Sequence, residues 1–509
     1  MGEIARTPAA GASTVVGAVA AVTVGAFFGV RGLALAGQFA VTDLTQGIPL
    51  GAPGSSVPLV ALAGGLLLAV VVAGAAALTR LPGWPIATAG VLVAYLAGEL
   101  AFDGVVGLVP QQPPSAGQVL VVLATALGAG LALGGALLAT GQLARPLRWP
   151  VAAGLAVGLV LHSGVADLVR LAVGEGYAIR GHAWPTQVGV TVLATVVAAV
   201  LAQRRGTGMA PPARRPRIGP LVAAAVAAVV TLGGLAFRWW VVEAFRVSQD
   251  GLVGPRREQF VESFAYFSTV AVATAAGLVL LGYAYRIGRA VAARWVVLGV
   301  AAGPLVLFGV RLDFVTARPQ AYLVVLVGLA AVVAGAALAR FAPRLLPWDA
   351  AGLLLAALAL PLASPVIRAE LPATGQVPPV LAALGLGLAF GFGLVLAAAA
   401  PTTSGAAGGE ASAPAATEEE PSWRVGVLAL GPAAMVLSAV ALGPALVRAQ
   451  IYGPVGGPPV TVPVFAGVGA LILLLLFGFG RAVHRVRRDL RAEAALVAHP
   501  QSGEEPRAD

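Results

Sequence analysis

The chain has 509 residues, 59% of them hydrophobic and only 11% charged, with a mean hydropathy of +0.91. A soluble domain carries about 25% charged residues, so water is excluded as its main solvent. The net charge of +10 is carried by arginine alone, because Lys is absent, and the absence of Cys excludes disulfides, thiolate metal sites and cysteine nucleophiles.

Apolar runs of about twenty residues repeat through the chain, the mark of an all-α polytopic membrane protein. Ten-residue alternating segments, which a transmembrane barrel needs, do not appear. Fourteen spans are predicted, over 14–36, 57–79, 86–109, 118–140, 151–173, 187–203, 219–241, 263–285, 294–311, 320–341, 349–368, 377–400, 425–448 and 461–481. The first apolar stretch is long enough to span and reads as a retained helix, not a cleaved leader.

Two linkers divide the spans. Residues 203–218 are basic and Pro-rich; residues 401–422 are acidic and of low complexity, the composition of a disordered segment. The division that follows is a first six-helix bundle (1–202), the basic cytoplasmic linker (203–218), a second six-helix bundle (219–400), the acidic linker (401–422), a two-helix hairpin (423–482) and a cytoplasmic tail (483–509). The tail is basic and then acidic. With the N-terminus inside, the cytoplasmic segments hold 21 of the 32 arginines. Both termini are then cytoplasmic in a bacterial membrane.

Trp84, Trp149, Trp295, Trp348 and Trp423 each open an odd-numbered span at the inner boundary. They are expected as interfacial anchors, and their recurrence suggests a repeated helical hairpin. Counting from them, Glu99 lies fifteen residues beyond Trp84 and His162 thirteen beyond Trp149. At about 1.5 Å per residue, both fall about 20–22 Å across the bilayer, in its outer third.

Asp103, Asp167, Arg170, Arg238, Arg311 and Asp313 follow at or beyond that level, and Arg31 closes the first span. Ionisable groups in a span are costly and mark functional positions. Arg31, Arg170, Arg238 and Arg311 are therefore candidate substrate-binding residues, and Glu99, Asp103 and His162 candidate proton-coupling residues. Asp167, Arg170, Arg311 and Asp313 could equally serve as structural ion pairs, neutralised locally. The aromatic and charged stretch from Arg238 to Phe267 is expected as an outer-surface amphipathic segment.

No motif supports a bound metal or cofactor, and none marks a catalytic site; neither nucleic acid nor a protein partner is indicated. The bilayer itself is the expected partner, with an anionic or amphipathic substrate. The six-six-two layout is similar, by helix number, to lipid-linked precursor flippases. The Gly/Asp/Arg signature of major-facilitator transporters is missing from residues 79–85, TRLPGWP. The composition thus points to a transporter or flippase-like protein with a charged outer cavity. Its alternatives are a non-catalytic scaffold for envelope assembly and a polyprenyl-dependent glycosyltransferase using Asp43.

Overall fold

The computed structural model describes residues 8–33, 35, 56–102, 115–173, 183–205, 218–247, 255–287, 290–311, 318–342, 347–362, 377–399 and 420–451. Among these residues every regular element is helical. The helices are α1 (Pro8–Phe28, continued by a π-turn Gly29–Leu33), α2 (Ser56–Gly74, ending in a 3₁₀ turn Ala75–Leu78), α3 (Gly83–Phe102), α4 (Ala116–Gln142), α5 (Arg145–Val173), α6 (Ala183–Arg205) and α7 (Gly219–Val247). There follow α8 (Pro255–Arg286), α9 (Ala290–Arg311), α10 (Arg318–Phe341), α11 (Trp348–Leu362), α12 (Val377–Ala399) and α13 (Glu420–Ile451).

They coincide one for one with the first thirteen predicted spans; the fourteenth, both Pro-rich and acidic linkers and the tail lie largely or wholly outside the described residues. Among the described residues, eight helical stretches are long and apolar enough by themselves to cross a membrane. The protein is a polytopic helical membrane protein. The stretch after Arg238 is helical on both sides of residues 248–254. Its residues extend α7 to Val247 and begin α8 at Pro255, leaving only 248–254 between the two helices.

Local signals set the ends. Ser115 caps α4 reciprocally: its hydroxyl accepts from the Gln118 amide at 3.2 Å, and Gln118 Oε1 accepts from the Ser115 amide at 2.9 Å. At the far end of α4, Gln142 Oε1 accepts from Gly83 N at 3.1 Å. Its Nε2 donates to Leu81 O at 2.7 Å, which clamps the turn between α2 and α3.

Small residues let the helices touch backbone to backbone, since lipid gives apolar side chains no incentive to cluster. On α3, Gly83, Ala87, Gly90 and Ala94 meet Gly128, Ala132, Gly135 and Ala139 of the antiparallel α4; a methyl group on Gly90 would lie 2.3 Å from Ala132 N. Gly352 of α11 and Gly385 of α12 meet in the same way. Parallel pairs use a four-residue step: Gly154 and Gly158 of α5 on Ala18 and Val22 of α1, Gly299 and Gly303 of α9 on Gly431 and Met435 of α13.

The packing therefore repeats with an offset of eight helices. The pairs α1–α5, α2–α4 and α3–α4 recur as α9–α13, α10–α12 and α11–α12. Helix α13 lies inside the bundle, against α2, α4, α7, α8, α9 and α12, with its window Trp423–Leu442 wholly buried.

Pro304 interrupts α9 and has no N–H for the Val300 carbonyl one turn earlier. Ser438 of α13 donates its hydroxyl to that carbonyl instead, as a buried backbone group in a membrane protein requires. Ser438→Ala is expected to leave it orphaned, lowering stability by about 1–3 kcal/mol. Thermal unfolding in detergent measures this, and Pro304→Ala in the same background should restore much of the loss.

Candidate functional site

The ends where odd-numbered helices begin gather at one face of the bundle. Gly83 touches Ala139 at the end of α4, Gly219 touches Tyr283 near the end of α8, and Gly426 touches Pro220. All five predicted Trp anchors open helices at this end. Three of them face into protein: Trp84, Trp295 and Trp423 are buried, and Trp295 donates its indole N–H to Leu428 O at 3.1 Å. Trp149 and Trp348 are half-buried. The amphipathic argument expects these rings at a membrane interface. In the structure, however, neighbouring helix backbones accept or cover them.

At this same end Arg294 of α9 and Asp349 of α11 form a two-pronged ion pair, their side chains 12% and 5% exposed. The Arg294 guanidinium also lies 5.2 Å from the Phe392 ring of α12. Asp349 accepts from the Ala350 amide at 2.8 Å, so it holds the start of α11 as well. The Arg340 guanidinium of α10 sits 5.1 Å over the Trp149 ring of α5. A shallow apolar pocket lies close by, between Trp84, Ala139, Leu143 and Ala202.

The predicted charged layer belongs to the opposite part of the spans. Arg31 sits in the π-turn of α1, half-buried, within electrostatic reach of Glu99 on α3. Tyr95 lies one turn before Glu99 on the same face of α3, positioned to offer its hydroxyl to the Glu99 carboxylate. Opposite charges from two spans thus share one locality, and each lowers the other's desolvation cost.

His162 is 3% exposed and packs its ring against Gly29, the first residue of that π-turn. Its Nδ1 is 2.8 Å from Leu159 O, which assigns the ring proton to Nδ1 and a lone pair to Nε2. Nε2 is buried and has no hydrogen-bond partner among the described residues. A π-turn is a common device at functional positions, and here it separates two polar neighbours: His162 on the α5 side, Glu99 on the α3 side.

Of the remaining candidates, Arg238 is 4% exposed within α7. Asp167, Arg170 and Arg311 fall in α5 and α9, but their side chains lie outside what the structure describes. Asp43, Asp103 and Asp313 lie outside the described residues. Among the described residues no three His, Asp or Glu side chains converge as metal ligands would.

Sequence reasoning named Arg31, Glu99 and His162 and did not name Tyr95, Arg294 or Asp349. The four-residue spacing of Tyr95 and Glu99 could have revealed the first. No local signal joins residues 294 and 349.

No family model and no curated protein matches the chain. Solved structures do. The xylose transporter XylE from E. coli, in a partially occluded inward open conformation, is 12% identical, with 92% of this chain and 99% of that one covered and a TM-score of 0.46. The human organic anion transporter MFSD10 is 16% identical, with 93% and 100% covered and a TM-score of 0.48. A POT peptide transporter in complex with sulfate is also 16% identical, with 93% and 95% covered and a TM-score of 0.48. The solutes in these names are those proteins' own.

Proposed function

We propose that the protein is a transporter of the membrane it spans, moving an anionic or amphipathic solute, in the manner of a lipid-precursor flippase. Arg31 holds the solute's negative group and Glu99 exchanges a proton. The observation that carries this is the π-turn Gly29–Leu33, which holds Arg31 within electrostatic reach of Glu99 and packs Gly29 against the buried ring of His162.

The chemistry follows from charge balance. At rest Arg31 and Glu99 neutralise each other. An anion arriving at Arg31 displaces Glu99, and one proton delivered to the site restores its charge balance. Arrival of one anion is thus tied to uptake of one proton, and departure reverses both. Tyr95 holds the carboxyl in place through either state.

In this reading Asp103, one turn beyond Glu99, and His162 extend the proton-exchanging set. Arg170, Arg238 and Arg311 supply further positive charge along the outer ends. The packing offset supports two related five-helix units, α1–α5 and α9–α13. The arginine bias supports a bacterial cytoplasmic membrane with both termini inside.

The test is proton movement in liposomes loaded with a pH-sensitive dye and challenged with a panel of organic anions. Glu99→Gln should keep its yield and unfolding temperature while losing anion-driven proton uptake by at least tenfold. Uptake that persists unchanged in Glu99→Gln sinks the reading. A scaffold for envelope assembly is the second reading, favoured by the complete burial of Trp423–Leu442 of α13. It predicts that Glu99→Gln instead lowers stability or releases a partner protein.

A further inference from the structure

The repeat leaves two seams between the five-helix units, and protein covers only one of them. Under the offset of eight, α2 corresponds to α10 and α5 to α13. One seam joins α2 to α13, and the other joins α10 to α5. On the first, α7 packs on both α2 and α13, while α8 packs on α13 and α9. Among the described residues the second has no such cover; only α12, the counterpart of α4, packs on both α5 and α10. Burial shows the difference. Of the spanning residues of α2, 61% are buried, against 33% of those of α10.

The exposed face of α10 ends in a charge that the other unit holds in place. Arg340 is exposed, and its guanidinium lies 5.1 Å from the Trp149 ring of α5, so this contact crosses the seam at the Trp-lined end. Among the described residues it has no acidic partner. A ring engages the flat face of a guanidinium and leaves its N–H edges pointing outward. Those edges fit the paired oxygens of a phosphate.

Val333 and Leu329 precede Arg340 by two and three helical turns on the same face, and are 57% and 40% exposed. The rise from Leu329 to Arg340 is about 16 Å, close to half of a hydrocarbon core of about 30 Å. One acyl chain hanging from a head group at Arg340 therefore reaches Leu329. At the next residue protein closes the seam: Leu161 of α5 packs on Gly328 so tightly that a Cβ there would lie 2.3 Å from its Cδ2.

We propose that this seam carries a bound phospholipid of net negative charge, its phosphate on Arg340 and one acyl chain along Val333 and Leu329. It does for α5 and α10 what α7 and α8 do for their counterparts, covering the joint between the units. The lipid's net charge follows from the unbalanced cation at Arg340. A zwitterionic lipid brings its own ammonium to the site and gains less. The proposal stands apart from transport and from the Arg31–Glu99 locality.

Thermal unfolding of the purified full chain in detergent tests it. The probes are phosphatidylglycerol and phosphatidylcholine of identical acyl chains, with glycerol phosphate as the head group alone. Phosphatidylglycerol should raise the unfolding midpoint at about fivefold lower concentration than phosphatidylcholine. Arg340→Gln should remove that preference, read against the variant's own lipid-free midpoint. Arg286→Gln should keep it: Arg286 is an exposed arginine closing α8 at the same end, away from this seam. No preference in the parent, or a preference that survives Arg340→Gln, overturns the proposal. Equal loss in both variants also overturns it, by showing diffuse surface charge in place of a site. Protection by glycerol phosphate at the lipid's own concentrations overturns it in favour of a free phosphate.

Discussion

Asp349→Ala is expected to destabilise the bundle by about 3–5 kcal/mol, the usual consequence of leaving a buried charge without its partner. Arg294 is enclosed by α9, α11 and the Phe392 ring of α12, and its side chain is only 12% exposed. With the carboxylate gone, the guanidinium has neither water nor an anion to turn to. The start of α11 also loses the bond from the Ala350 amide. Arg294→Met combined with Asp349→Leu should recover most of the loss, because a buried pair stabilises little relative to apolar packing of similar volume. Unfolding midpoints and membrane yield of the single and double variants measure this. A single variant as stable as the parent would show that the pair is not closed off from water.

Gly90→Leu is expected to disrupt the α3–α4 pair. A Cβ at that position would stand 2.3 Å from Ala132 N and 2.6 Å from Gly128 O, both backbone atoms that cannot rotate aside. Overfilling a packed interior typically costs about 1–3 kcal/mol, and here the helices must separate to admit even one methyl group. Glu99 and Tyr95 ride on α3, so the charged locality should be displaced too. Gly189→Leu supplies the contrast: nothing lies within 4 Å of its Cβ position, and it should leave the unfolding temperature unchanged. Equal behaviour of the two variants in yield and unfolding would refute the backbone-contact account.

Helix positions were legible because the membrane imposes a length on apolar runs, and thirteen of the predicted spans match described helices. What each helix faces was not. The Ala, Gly, Val and Leu of α13 read like those of α6, yet α13 is enclosed while Val190 and Leu193 of α6 are more than half exposed. Lipid and protein interior are equally apolar, so hydropathy does not separate them.

The same limit hides the direction of the tryptophans. Depth along the helix fixed which end they occupy, but only tertiary packing turns Trp295 toward Leu428. At the site, charge in a span singled out Arg31 and Glu99. Their pairing, like that of Arg294 with Asp349, depends on where distant helices meet.

The central place of α13 bears on how the molecule is made. Twelve of the described helices leave the ribosome before it, and those that pack on it must wait beside an unfilled slot. Until α13 arrives, that slot belongs to lipid, to a chaperone, or to a wrong helix. A stalled or shortened chain lacking α13 would therefore present a long apolar trench to membrane quality control, whereas damage at an outer helix would spare the centre.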